Sequence, residues 1–123
     1  NMKISEGEYL FIYNSNMIQD KTAKGYALSI DHVKINEKDI HKDHLTPKQI
    51  VEIADSLNVA IKDLYRDRAA TAYEQFTDEE LIRVLSVDPS KMKTPIILSS
   101  DKSFIVGSSY ELMKEQLTIH ESK

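Results

Sequence analysis

The sequence contains no cysteine among its 123 residues. This absence excludes disulfide bonds, thiolate metal sites and any cysteine nucleophile supplied by the chain itself. Long apolar runs are absent as well: nothing approaches the roughly 18 consecutive apolar residues of a membrane span, and the first residues hold no signal-peptide core. We therefore expect a cytoplasmic protein that has no membrane partner.

The chain also has no excess of positive charge. Lys and Arg number 16 against 20 Asp and Glu, so the formal net charge is -4 and the pI is near 5.5. Binding along a nucleic-acid backbone needs clustered Lys and Arg that nearby carboxylates do not offset, whereas here the signs alternate. We expect no direct nucleic-acid binding. The length predicts a single domain over residues 1–123, with a flexible arm at 1–8 and a flexible tail at 118–123.

The first third of the chain predicts a βαβ unit. Residues 9–13 are a continuous β-rich run, the pattern of a strand that is covered on both faces. Turn-forming residues 14–16 follow, and residues 17–30 can carry a helix, although Gly25 weakens it by roughly 1 kcal/mol relative to Ala. Residues 32–36 alternate polar and apolar, which predicts a second, more exposed strand parallel to the first.

Helical segments are predicted next. Residues 37–44 form a charged connection, whose Asp and His residues are better explained by a solvated loop than by a metal site. Thr46 and Pro47 begin a helix as its N-cap and first residue, and Thr77 with Glu80 forms a capping box at the start of another. Between these helices, residues 59–66 predict a short amphipathic turn that ends at an arginine.

The last part of the chain predicts a hairpin followed by a helix. Pro95 cannot donate to a ladder, so it belongs at the beginning of a strand, and residues 96–98 continue that strand. Polar turn residues 99–102 lead into a second run at 103–107. Residues 108–117 carry the apolar spacing of a closing helix.

This arrangement resembles the arsenate reductase (ArsC) and Spx-type branch of the thioredoxin-fold proteins. The resemblance rests on the Thr94-Pro95-Ile96-Ile97 strand, the hairpin that ends at Gly107, and the element order over residues 9–117. It implies an α/β, thioredoxin-like fold with a central four-stranded mixed sheet. That sheet combines a βαβ unit with a C-terminal ββα unit, and a helical insertion separates its second and third strands. The resemblance also implies a cis Thr94–Pro95 peptide that faces the reactive loop.

The same resemblance implies the position of a binding pocket. The nucleophilic cysteine of the family falls within residues 17–19, most closely at Ile18. Arg66 matches the family arginine that contacts an oxyanion, and the alternative for it is a surface ion pair with Asp63 or Asp67. The implied pocket residues are Asn14, Ser15, Asn16, Met17, Ile18, Gln19, Arg66, Thr94, Pro95 and Gly107.

Two departures from the family pattern concern chemistry. Arsenate reductases carry arginines at the positions that match Thr94 and Gly107 or its neighbour, so two of the three anion-binding arginines are missing. Isoleucine at position 18 cannot attack a substrate. Ser15 is the remaining hydroxyl of the loop, but no His lies near it in sequence to act as a base, and a turn or cap role explains it better. We therefore predict that the chain has no catalytic residue.

The function expected from these features is that of a catalytically degenerate family member. It would act as a binding or regulatory module, and the Spx-type resemblance implies RNA polymerase as a protein partner. One alternative is an arsenate reductase-type oxidoreductase that takes its sulfur from glutathione and glutaredoxin. The other is a small-ligand binder that keeps the pocket for an oxyanion or glutathione. No metal or bound cofactor is expected.

Overall fold

The computed structural model describes residue 4 and residues 6–30, 33–66, 74–100 and 102–106. The strands are β1 (Glu8–Tyr13), β2 (Lys34–Asp39), β3 (Ile96–Ser99) and β4 (Phe104–Ile105). The helices are α1 (Ile18–Leu28), α2 (Pro47–Leu57) and α3 (Asp78–Val87), and short 3-10 turns cover Ile61–Leu64 and Pro89–Lys91.

The described strands form one mixed sheet in the order β2-β1-β3-β4. β1 runs parallel to β2 and antiparallel to β3, and β3 runs antiparallel to β4. β1 is central, as its apolar sequence predicts, and both Phe11 and Ile12 are fully buried. With α2 and α3 inserted between the second and third strands, the predicted thioredoxin-like α/β fold is confirmed.

The second strand lies later in the sequence than predicted. Pairing with β1 runs from Glu8 opposite Lys34 to Tyr13 opposite Asp39, so the charged residues 37–39 belong to β2 and not to a connection. A strand at the edge of a sheet can carry charge at successive positions because one side of it faces solvent. The alternation used for the prediction therefore located the strand but misplaced its end. Residues 31–32 lie outside the described residues.

Apolar side chains cover both faces of the sheet. On one face, α1 packs against the sheet. Its residues Ala23 and Ala27 are fully buried there, together with Phe11 of β1. The opposite face carries α2 and α3. Its fully buried members are Ile12, Ile40, Ile50, Ile53, Leu64, Met92 and Ile96.

Both α2 and α3 start in capping boxes; the sequence predicts the box at Thr77, and at Thr46 it predicts the N-cap alone. The Thr46 hydroxyl accepts from the Gln49 amide at 3.1 Å, and the Gln49 side chain accepts from the Thr46 amide at 3.0 Å. Thr77 and Glu80 repeat the pattern at 3.2 and 2.8 Å. These reciprocal bonds satisfy amides that a helix start leaves unpaired. The acidic first turn of α3 thus has a structural explanation.

Several predicted features lie outside the described residues. They are Gly107, the closing helix over residues 108–117 and the tail over residues 118–123. Within the part of the chain that is described, no helix has the length and apolar character needed to cross a bilayer.

Candidate functional site

The loop between β1 and α1 is closed by Asn14, which is almost completely buried. Its side-chain oxygen accepts from the Asn16 amide at 2.9 Å, and its carbonyl accepts from the Met17 amide at 3.0 Å. An Asn side chain that bonds the backbone two residues further on is a common way to fix a turn. The loop is therefore held from its first residue, and α1 begins directly after Met17.

Asp39 fixes the same loop from the end of β2. Its Oδ1 accepts from the Ser15 amide at 3.0 Å and from the His41 amide at 3.1 Å. Burial raises the pKa of Asp39, but hydrogen bonds from Ser15 and His41 and the charge of Lys42 outweigh it, so the pKa lies below its ordinary value. Ser15 is thus a turn residue bonded to a carboxylate.

Arg66 is brought to the pocket by a short antiparallel pairing. The Arg66 amide donates to the Lys91 carbonyl at 2.8 Å, and the Lys93 amide donates to the Leu64 carbonyl at 2.7 Å. This pairing sets Arg66 beside Thr94, and the guanidinium Nη2 donates to the Thr94 hydroxyl at 2.6 Å. The arginine and the threonine therefore lie in one place although 28 residues separate them.

Thr94 and Pro95 directly precede β3, and the peptide between them is cis, as the family resemblance implies. Thr94 is fully buried. The Pro95 carbonyl accepts from the Val106 amide at 2.8 Å, which ties the proline to the far side of the hairpin. Pro95 is thus held by a backbone bond from Val106, and Thr94 by its bond from Arg66.

Asp20 is the site residue that the sequence reasoning missed. It lies in the first turn of α1 and is fully buried. Its Oδ2 accepts from the Asn14 amide at 2.9 Å, and its Oδ1 lies 4.0 Å from Arg66 Nη2. An acid at this position was a usable signal, because a helix start favours negative charge. The carboxylate therefore lies beside the groups that the family resemblance assigns to an oxyanion.

Two atoms of this arrangement lack a hydrogen-bond partner. Among the described residues, Asp20 Oδ1 and Arg66 Nε are both buried and unpaired. The charge of each group is nevertheless opposed by the other, because a carboxylate and a guanidinium attract at this separation. The positive charge of Arg66 is thus balanced by a carboxylate of the same chain.

Ile18 is an exposed apolar residue among the implied pocket residues. It is the first residue of α1, and 85% of its surface is accessible to solvent. The position that the resemblance assigns to a nucleophile therefore presents an apolar side chain at the tip of the loop. Asn14 is linked through Asp20 to Arg66 and Thr94, while Gly107 lies outside the described residues.

No family model and no curated protein matches the sequence. Solved structures do match the fold. The arsenate reductase from Vibrio cholerae superimposes with a TM-score of 0.73 at 11% identity, covering 90% of this chain and 98% of that one. A candidate arsenate reductase from Yersinia pestis gives 0.72 at 14% identity, covering 88% and 99%. SACOL0876 from Staphylococcus aureus gives 0.67 at 22% identity, covering 87% and 96%. The chain therefore has the thioredoxin-like fold of the ArsC-type arsenate reductases, without their cysteine.

Proposed function

We propose that this chain is a non-catalytic binding module of the arsenate reductase-like fold, and that it recognises a protein partner through the loop between β1 and α1. The observation that carries the proposal is the exposed Ile18 at the start of α1. An exposed isoleucine adds nothing to folding, whereas burial against a partner would stabilise a complex by roughly 1.5–3 kcal/mol. The Spx-type resemblance makes RNA polymerase the first partner to test.

The position of Asp20 argues against the oxyanion-binding alternative, and the absence of cysteine argues against the reductase. An incoming oxyanion would have to approach Arg66 next to a buried carboxylate that already opposes the guanidinium charge. Like charges at such a distance repel in a partly buried site. Arsenate reductase chemistry also needs a thiolate nucleophile, and the sequence provides none, so a reductase of this fold would depend entirely on an external thiol.

The partner proposal is tested by binding of purified bacterial RNA polymerase to the immobilised protein. We expect saturable binding of the wild-type chain and a loss of at least about tenfold in affinity for Ile18→Glu, because a charge replaces an apolar contact. Val87→Glu is the matched control, since Val87 is also an exposed apolar residue, at the end of α3. Its binding should equal that of the wild type.

Three results would contradict the proposal. If the wild-type chain does not bind the polymerase, or if Ile18→Glu and Val87→Glu bind alike, the loop does not recognise this partner. Turnover of arsenate by the wild-type chain with glutathione and glutaredoxin would show that the protein is an enzyme, and the non-catalytic proposal would then be wrong.

A further inference from the structure

A cavity of about 470 Å³ lies beside α1. Of the pocket residues that the family resemblance implies, Ser15 alone lines it. We call it the lysine cavity. Its volume falls in the range of small-molecule sites, roughly 300–1,000 Å³. The lining residues are Tyr13, Ser15, Lys21, Lys24, Gly25, Asp39 and Lys42.

The lysine cavity lies where α/β proteins usually bind ligands. Tyr13 and Asp39 are the last residues of β1 and β2, and they are paired in the parallel ladder. In sheets of this kind, ligands bind outside the carboxyl ends of parallel strands. Gly25 of α1 lines the lysine cavity without a side chain, and a Cβ added there would meet no atom within 4 Å.

Positive charge dominates the lining. Lys24 is held in place: its ammonium donates to the Tyr13 hydroxyl at 3.2 Å and lies 3.2 Å from Glu37 Oε1. The hydrogen bond to Tyr13, followed by that to Glu37, raises the pKa of Lys24, so the group stays charged. Lys21 and Lys42 are exposed, and neither makes an ion pair within the described ranges. Two ammonium groups are thus available to a ligand.

Asp39 restricts the kind of anion that fits. Its Oδ1 is bonded to two loop amides, and its charge would repel a ligand that carries only negative groups. A carboxylate is, however, a good acceptor for hydroxyl donors, and Lys ammonium groups bind phosphate as point charges. We propose that the lysine cavity binds a small phosphate ester of a polyhydroxylated compound, with the phosphate between Lys21 and Lys42 and a hydroxyl donated to Asp39.

The experiment is an amide NMR titration of the labelled full chain at physiological salt, with ribose 5-phosphate as the probe and ribose as its uncharged counterpart. We expect saturable shifts at Ser15, Lys21, Gly25 and Lys42 with ribose 5-phosphate and none with ribose. The double variant Lys21→Gln/Lys42→Gln should bind about tenfold more weakly, because two charge-assisted contacts are lost.

Two further variants distinguish binding at the lysine cavity from nonspecific attraction of the phosphate to surface lysines. Lys62→Gln removes an exposed lysine from the 3-10 turn at Ile61–Leu64, away from the lysine cavity, and should bind like the wild type. Gly25→Leu adds a side chain to the lining of the lysine cavity without changing charge and should abolish binding. The proposal is overturned if ribose 5-phosphate gives no saturable shifts at millimolar concentration, or if Lys62→Gln weakens binding as much as the double variant. Shifts confined to Arg66 and Thr94 would likewise overturn it.

Discussion

Asp20 Oδ1 lies 4.0 Å from Arg66 Nη2, and the Asp20 side chain is fully buried while a quarter of the Arg66 side chain remains accessible. A buried carboxylate is costly unless an opposite charge or hydrogen bonds compensate for it. Here the compensation comes from Arg66 and from the Asn14 amide. The guanidinium therefore has a structural role that does not depend on any ligand.

Replacing Arg66 should destabilise the protein. In Arg66→Met the Asp20 carboxylate stays buried without its counter-charge, and we expect the free energy of unfolding to fall by roughly 3 kcal/mol. Urea denaturation followed by circular dichroism measures this change. Arg83→Met, on the outer part of α3, is the matched control and should lie within about 0.5 kcal/mol of the wild type.

A double-mutant cycle identifies the source of that loss. Asp20→Asn removes the charge that Arg66 opposes, so the Arg66→Met substitution should cost less in the Asp20→Asn background, by about 1 kcal/mol or more. Equal costs in the two backgrounds would mean that Arg66 stabilises the fold through the Thr94 hydrogen bond alone.

Removing the Asp20 side chain should create an oxyanion site. The Asp20→Ala substitution removes the carboxylate that now lies beside the Arg66 guanidinium and accepts from the Asn14 amide. An external anion could then take its place beside these groups and the Thr94 hydroxyl. We expect sulfate or arsenate at millimolar concentration to shift the amide signals of Asn14, Arg66 and Thr94 in this variant but not in the wild type. Asp20→Ala/Arg66→Ala is the control and should not respond. Equally strong binding by the wild type would contradict an internally occupied pocket.

Acid should weaken the fold partly through Asp39. The folded protein holds the pKa of Asp39 below its ordinary value, so the stability it contributes is present above about pH 4 and is lost as the pH falls through the folded pKa. Asp39→Asn should be less stable than the wild type at pH 7, and the difference should shrink toward pH 2. Urea midpoints across this range measure it. Asp55→Asn, on the exposed side of α2, is the matched surface control and should lie within about 0.5 kcal/mol of the wild type at pH 7.

Replacing two glycines by alanine should change the stability of the protein in opposite directions. Gly25 lies inside α1 with open space around its Cα, so Gly25→Ala should stabilise the protein by up to about 1 kcal/mol. Gly7 has a φ of +84°, a conformation that a Cβ makes unfavourable, so Gly7→Ala should destabilise by about 1 kcal/mol. Thermal unfolding of both variants tests the signs, and a shift of the same sign in both would contradict this account.

Local sequence signals predicted the features whose causes are local. The N-cap at Thr46, the capping box at Thr77 and the buried central strand follow from residues only a few positions apart. The end of β2 did not, because its charged residues belong to the strand only through pairing with β1. Asp20 was missed for the same reason: its importance depends on Arg66, which lies 46 positions away and is held near it by backbone bonds to the segment before Thr94.

The edge position of β2 has a consequence for self-association. In the described sheet β2 has β1 as its one neighbour, and five of its six residues are polar or charged. An edge strand that carries Lys34, Glu37 and Lys38 is a poor template for a further strand, because backbone pairing would force these charges against an incoming chain. Sheet extension between copies is thus disfavoured on this side, and crowded solutions of the protein should resist fibril growth from β2.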